Sequence, residues 1–336
     1  MIAALTEKLS RRTDLSLDEM GQAMEQIMTG ACATEEIVAF LLALADKGET
    51  VDEITAAART MRRHAIAISC SSPTILDTCG TGGDCKSSFN ISTTAAFVVA
   101  ACGVTIAKHG NRSVSSPCGS ADILEALGVK ISLAKEKVER CLEEVGIAFL
   151  YAPDFHPAMK FAAPARKQIG RRTIFNILGP LCNPAGATNQ LIGVFSPGLG
   201  PVIAAVAGRL GVRHCLAVHG AGVMDEITTT GPTEINEFRD GKVETYSILP
   251  ADFGFATAGY DDLAGGDAAR NAVIMRELLD GEKGAKRDIV IFNAGACLYA
   301  ADKTRSIKEG VAMARESIDS GKAKRKLEQL RRFTQA

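Results

Sequence analysis

The sequence predicts an α/β protein, with a small helical module ahead of a larger part that has substantial parallel strand pairing. Three observations predict this. Roughly the first 65 residues carry helical periodicity and no glycine-rich loop. From Thr74 onward, short β-type runs alternate with helical stretches. The 32 glycines among 336 residues suit the many tight strand–loop–helix turns of such a sheet.

In the helical module, Leu17, Met20, Met24 and Ile27 fall on one helical face, with Ser16 as N-cap ahead of Asp18 and Glu19. Thr34-Glu35-Glu36 opens a second helix through Ile37, Phe40, Leu41 and Leu44 that ends near Gly48, and a third runs from Val51 to His64. After Ser71-Ser72-Pro73 the pattern changes. Strands are expected at Thr74–Thr78, Val104–Ala107, Ile147–Tyr151, Leu191–Phe195, Leu216–Val218 and Ile289–Phe292. Helices are expected from Asn90 to Ala101 and from Ser120 through Leu127, and helical character returns between Phe155 and Leu181. That segment is expected to pack back on the N-terminal helices. The helical domain would then be residues 1–70 completed by about 155–185, and the α/β domain 71–154 with 186–336.

Composition narrows the function classes. Apolar residues make up 46% and charged residues 23%, enough apolar surface to exclude a disordered chain. The formal charge is −1, which opposes nucleic-acid binding through an overall basic field. No run approaches the roughly 18 apolar residues of a membrane span, and the start lacks signal-peptide order. A cytoplasmic location is expected. The ten scattered cysteines form no CxxC pair and read as small buried hydrophobes.

The strongest chemical signal is Asp77-Thr78-Cys79-Gly80-Thr81-Gly82-Gly83-Asp84, between a strand and a helix. Glycines let backbone N–H groups approach phosphate oxygens. It is not a Walker loop, because Cys85 precedes Lys86-Ser87, and it lacks the third glycine of a dinucleotide fingerprint. Alone, it reads equally well as an ordinary turn. Asn90-Ile91-Ser92-Thr93 adds polar groups at a helix N-terminus, where an anion is favoured. Lys108-His109-Gly110-Asn111-Arg112-Ser113-Val114-Ser115-Ser116 follows a strand, in the position where open α/β sheets bind ligands, and brings two cations, an amide and several hydroxyls that concentrate phosphate-binding chemistry. Asp225-Glu226 supplies the adjacent carboxylates that suit Mg²⁺ held jointly with phosphate oxygens. No nucleophile elbow or HExxH motif supports a hydrolase, and His109 alone of the five histidines lies in a candidate loop.

Taken together, DTCGTGGD, NIST, KHGNRSVSSPCGSADILEALGV, RRTIFNILGPLCNPA and VMDEITTTGPT resemble the anthranilate phosphoribosyltransferase family across nearly the whole chain. The resemblance implies the nucleoside-phosphorylase-like phosphoribosyltransferase fold, with a helical domain, a mostly parallel central sheet and a homodimer formed through helical domains. It implies that Gly80, Gly83, Asp84, Ser88, Asn90, Ile91, Ser92, Thr93, Lys108, Ser116 and Ser120 bind phosphoribosyl diphosphate. It assigns Mg²⁺ to Ser92, Asp225 and Glu226, and anthranilate to Gly80, Asn111 and Arg166, with His109 nearby as the catalytic candidate. Pro117 stands where the family pattern has a Lys or Arg, removing a charge and a backbone donor.

Overall fold

Helix caps written into the sequence divide the N-terminal segment into α1 (Ile2–Ser10), α2 (Leu17–Met28), α3 (Thr34–Lys47) and α4 (Val51–Arg63). At α2 the Ser16 side chain accepts from the Glu19 N–H while Glu19 accepts from the Ser16 N–H, and Thr50 with Glu53 repeats this box at α4. Gly48, at φ +90°, closes α3. The computed structural model describes residues 1–82, 88–113, 117–222 and 224–336.

The remainder runs β1 (Ile75–Gly80), α5 (Ile91–Ala101), β2 (Thr105–Gly110), α6 (Ser120–Ala126), α7 (Lys135–Val145), β3 (Ile147–Tyr151) and α8 (Ala152–Phe155). It continues through α9 (Met159–Ile169), α10 (Phe175–Leu181), β4 (Asn189–Gly193), α11 (Gly200–Arg209), β5 (His214–Gly220), β6 (Thr233–Arg239) and β7 (Lys242–Ile248). Four helices close the chain: α12 (Ala268–Leu279), α13 (Ala285–Ala300), α14 (Ile307–Asp319) and α15 (Lys322–Gln335).

The strands form one sheet in the order β3-β2-β1-β4-β5-β6-β7. The first five are parallel, and β6 and β7 extend the β5 edge antiparallel. From β1 the chain first builds outward through β2 and β3, then returns to β1's other side with β4 and β5. The order therefore reverses between β1 and β4, and a crevice opens there outside the carboxyl ends of the strands.

Side-chain alternation along the central strands feeds two apolar cores. Leu191, Leu216 and Val218 face a core shared with α5, α6, α7 and α12 to α15. Ile192, Val194, Cys215 and Ala217 face a core shared with α11, α1 to α4, and buried residues of α9 and α10. Helix α9 packs on α3 and α2, and α10 on α4, so the 155–185 region sits against the N-terminal helices.

One expectation fails, and one element went unforeseen. Ile289–Phe292 is not a strand but part of α13, where Ile289 to Phe292 are all fully buried. A helix buried on every side shows no polar period, so a short apolar run within it looks like an inner strand. The β6–β7 hairpin went unexpected because its sequences, TEINEFR and KVETYSI, are half polar and Asp240-Gly241 alone marks the turn. No described helix is long and apolar enough to cross a membrane.

The helical module depends on one buried carboxylate. Glu53 is fully buried and accepts from the Leu15 N–H at 2.9 Å, the Thr50 N–H at 2.8 Å and Lys47 Nζ at 3.0 Å. Glu53→Ala should cost about 3–5 kcal/mol, the usual penalty for breaking a buried pair from one side. Urea unfolding followed by circular dichroism measures it, and a loss below about 1 kcal/mol would contradict this reading.

Candidate active site

At the carboxyl ends of β1, β4 and β5, one short segment crosses all three strands. Met224 and Gly220 exchange both backbone hydrogen bonds, at 2.8 and 3.2 Å, which folds the chain back over the end of β5. Asp225 and Glu226 then pass over the sheet. A Cβ at Gly193 would overlap the Asp225 backbone carbonyl, one at Gly80 would meet the Asp225 carboxylate, and one at Gly220 would lie 2.6 Å from the Glu226 carbonyl oxygen. The segment therefore needs three strands that each end in glycine.

The two carboxylates point at the other candidate loops. Asp225 Oδ2 accepts from the Gly82 N–H at 3.0 Å, and Glu226 Oε1 accepts from the Ser92 N–H at 3.1 Å at the start of α5. An anionic carboxylate at that helix N-terminus is favoured by free N–H groups and the helix dipole. Lys108, buried at the end of β2, donates from Nζ to the Thr78 carbonyl at 2.5 Å and to Ser92 Oγ at 3.4 Å. Glycine loop, α5 N-terminus, Lys108 and the acidic pair thus form one site at the point where strand order reverses.

Beneath it lies a buried polar network. Asp77 accepts from the His109 N–H at 3.2 Å through Oδ1 and from Asn183 Nδ2 at 2.8 Å through Oδ2. Burial pushes the Asp77 carboxyl up to about 6, against the lowering influence of the Lys108 charge. Burial, reinforced by neighbouring His156, pushes the His109 imidazole down to about 3, and burial holds His156 at about 4. The two rings stand 5.0 Å apart. His109 is therefore neutral at ordinary pH. Its Nδ1 lies 3.2 Å from the Gly179 carbonyl, which can only accept, so Nδ1 carries the proton and Nε2 keeps its lone pair.

Similarity to known proteins bears on what such a site does. Residues 3–65 match the model of the glycosyl transferase family helical bundle domain, and residues 72–324 that of its a/b domain. The chain is 52% identical over 331 residues to an anthranilate phosphoribosyltransferase of Symbiobacterium thermophilum, covering 98% of this chain and 97% of the relative. It is 53% identical over 328 residues to the enzyme of that name from Moorella thermoacetica, with the same coverage. The chain belongs to the anthranilate phosphoribosyltransferase family.

Solved anthranilate phosphoribosyltransferases share its fold. The Thermus thermophilus structure superposes with a TM-score of 0.94 at 44% identity, covering 98% of this chain and 99% of that one. The Saccharomyces cerevisiae enzyme in complex with PRPP and Mg superposes with a TM-score of 0.91 at 28% identity, covering 99% and 98%. The yeast enzyme has also been solved with 4-fluoroanthranilate, at a TM-score of 0.89.

The residues singled out by family resemblance divide in three. Gly80, Ser92, Lys108, Asp225 and Glu226 come together as described. Asn90 stands at the α5 N-cap but makes no side-chain cap. Its Nδ2 donates to the Cys118 carbonyl at 3.2 Å and its Oδ1 accepts from Asn271 Nδ2 at 3.0 Å, so it knits neighbouring loops to the site. Ile91 and Thr93 are buried in the first turn of α5, and Ser88 bridges to Ala264. Ser120 donates to the Asn111 carbonyl at 3.2 Å. Arg166, near the end of α9, is exposed. Its guanidinium lies 5.4 Å from the Phe175 ring centre, and it makes no ion pair with a described residue. Gly83, Asp84 and Ser116 lie outside the described residues.

Two readings of the Lys108–Ser113 stretch change. Lys108 and His109 end β2 and do not belong to a loop. Arg112, taken as a second phosphate-binding cation, is paired with Asp122 at 3.0 Å and Glu125 at 2.6 Å. Gly193 and Gly220 escaped sequence reasoning altogether. Glycine inside a predicted strand marks close backbone approach, and Gly193 sits inside the predicted Leu191–Phe195 run.

Adjacent hard oxygen donors at Asp225 and Glu226 fit a cation such as Mg²⁺. No group of three or more metal-binding side chains of the His, Cys, Asp or Glu type assembles among the described residues. That suits an ion that draws the rest of its shell from phosphate oxygens and water.

Gly193→Ala should displace the acidic pair from the strand ends, whereas Gly198→Ala, with open space around it, should not. We expect the first to lose most activity while keeping its circular dichroism spectrum, and the second to match the parent. Equal activity in both would show that the glycine seat is dispensable. The buried network also sets a pH dependence. Between about 4 and 6.5 the folded chain keeps His109 and His156 neutral while an unfolded chain protonates them, so each adds stability as pH rises. Asp77, protonated in the fold up to about 6, works in the opposite sense from its ordinary 3.8 upward. Two groups against one predict lower stability at pH 5 than at pH 6.5, at about 1.4 kcal/mol per pH unit for each titrating group. Urea midpoints at the two pH values test this, and His156→Gln should shrink the difference.

Proposed function

We propose that this chain transfers the 5-phosphoribosyl group of 5-phospho-α-D-ribose 1-diphosphate to the amine of anthranilate. The products are N-(5-phosphoribosyl)anthranilate and diphosphate, in tryptophan biosynthesis. The observation that carries the reading is the Asp225–Glu226 segment seated across β1, β4 and β5 beside the glycine loop and Lys108. It stands in a chain more than half identical to enzymes of that name.

In this reading the diphosphate lies against the glycine loop and the start of α5. Gly80, Gly83, Ile91, Ser92 and Thr93 line it, and the Lys108 ammonium with Ser88, Asn90, Ser116 and Ser120 holds its oxygens. Asp84 belongs to the same loop by its motif. Asp225, Glu226 and the Ser92 hydroxyl would hold Mg²⁺, which when bound supplies positive charge to the departing diphosphate.

Anthranilate needs a different kind of help. An aryl amine is nucleophilic while neutral, so no strong base is required. The chain's task is to aim that amine at C1 of the ribose, on the face opposite the leaving diphosphate, with inversion there. Neutral His109 leaves Nε2 as an acceptor for an amine N–H. Asn111 and the Gly80 backbone flank the ring, and Arg166 offers a planar fork to the ortho-carboxylate. The helical unit 1–70 with 155–185 carries Arg166, while the remainder carries the diphosphate site, so the substrates approach from two bodies. Homodimerisation through the helical unit and a cytoplasmic location complete the reading.

Loss of anthranilate fluorescence on adding phosphoribosyl diphosphate with Mg²⁺ tests the reaction, and consumption that needs neither addition would overturn it. Arg166→Ala should raise the Michaelis constant for anthranilate roughly tenfold, the equivalent of one charge-assisted hydrogen bond of about 1.5 kcal/mol. The constant for phosphoribosyl diphosphate should stay within about twofold. Arg166→Lys should recover little of the loss, because it restores charge without the fork.

A further inference from the structure

An asparagine in the middle of an otherwise apolar buried helix is unusual enough to need a reason. Asn293 lies in α13, 1% exposed, with Phe292 and Ala294 fully buried on either side. Burying an amide costs free energy unless each polar atom finds a partner, and a leucine here would simply extend the core. Asn293 is satisfied. Its Oδ1 accepts from the Ile227 N–H at 3.0 Å, and its Nδ2 donates to the Ile227 carbonyl at 2.7 Å and to the Ile289 carbonyl at 2.9 Å.

One side chain therefore reads both polar groups of the residue that directly follows Glu226. Upstream, Met224 is tied to Gly220 by two backbone bonds. Asp225 and Glu226 are thus suspended between two anchors, one on β5 and one on α13. A backbone pair alone would leave the φ and ψ angles of Glu226 and Ile227 free to turn at the downstream end. Two opposed bonds from one planar amide fix the peptides on both sides of Ile227, and with them the direction in which both carboxylates leave the chain.

We propose that Asn293 is a positioning residue for the Asp225–Glu226 pair, holding the two carboxylates in register with the glycine loop and the α5 N-terminus. It touches no substrate. The proposal rests on reading that pair as the site of magnesium and diphosphate.

Two variants separate positioning from general support of the core. Asn293→Leu keeps the branched shape with somewhat more bulk and removes all three bonds. Asn293→Ser is shorter, and its hydroxyl can bond back to the Ile289 carbonyl one turn earlier without reaching Ile227. Asn189→Leu is the control: its Nδ2 donates to the Ala300 carbonyl at 2.7 Å, so it pins the far end of the same helix to β4. Calorimetric titration with phosphoribosyl diphosphate, with and without Mg²⁺, supplies a readout apart from turnover, and thermal midpoints report stability. Both Asn293 variants should weaken magnesium-dependent binding by about tenfold or more, the usual effect of removing a group that orients a metal-binding side chain. Asn189→Leu should lower the midpoint and leave that binding unchanged. Wild-type binding by Asn293→Ser, or an equal weakening by Asn189→Leu, would overturn the role of Asn293. A wild-type chain without magnesium-dependent binding would instead overturn the function on which the proposal rests.

Discussion

Close approach of one peptide to the ends of three strands governs the rest of this structure. The Asp225–Glu226 backbone lies so near the ends of β4 and β5 that Gly193 and Gly220 can carry no side chain, and the Asp225 carboxylate fills the space where a Cβ on Gly80 of β1 would sit. The approach is possible only because β1 and β4 are neighbours whose connections depart in opposite directions, so no crossover helix covers the gap between them. Into that gap the chain places two carboxylates and a row of backbone donors. Negative side chains and phosphate would repel each other in such a space. The arrangement therefore makes chemical sense with a hard cation between them, and the uncovered strand ends leave room for one.

Electrostatics under the site follow from the same geometry. Asp77 and Lys108 project from adjacent parallel strands, β1 and β2, into a region closed to water. Asn183 completes the set by donating to both Asp77 and the Ala107 carbonyl, at 2.8 Å each. A carboxyl held near 6 and an imidazole held near 3 are the two consequences of removing solvent from one acid and one base. Lys108 keeps its amine aimed at Thr78 and Ser92, beside the start of α5. The only described hydrogen bond of the His109 ring runs the other way, to Gly179 in α10. Neighbouring residues of one strand thus serve opposite halves of the site.

Much of this was legible in the sequence, and the exceptions share a cause. Ser16 and Gly48 marked helix ends because capping is local, decided within about four residues. The glycine loop, the α5 start and the acidic pair were visible as motifs because each concentrates unusual residue types in a short run. Contacts between distant residues were not visible. Arg112 reads as a free cation until folding brings Asp122 and Glu125 around it. Gly193 reads as a strand residue until Asp225 arrives above it from a distant part of the chain. Ile289–Phe292 reads as an inner strand because full burial erases the polar phase that separates period 2 from period 3.6. Asn293, the residue directly after that misread run, offers no local signal of the peptide it holds.

Strand β4 couples the two bodies most directly, since its successive residues serve different masters. Ile192 is buried in the core shared with the helical module, and Gly193 beside it seats the Asp225 peptide. Gln190, two residues before Ile192, is fully buried and donates to the Pro180 carbonyl in α10 at 2.8 Å. Arg62 of α4 then ties the C-terminal ends of α10 and α11 together through the Leu181 and Leu210 carbonyls, at 2.7 and 3.0 Å. A shift of the helical module would therefore be felt at β4 through rigid, hydrogen-bonded elements and not through loops. Since α9 and α10 carry Arg166 and the Gly179 contact of His109, those two helices are registered to the acidic pair through that same strand. Adjacent positions on one short strand thus let a sheet hold the acidic segment on its end and a helical body on its face.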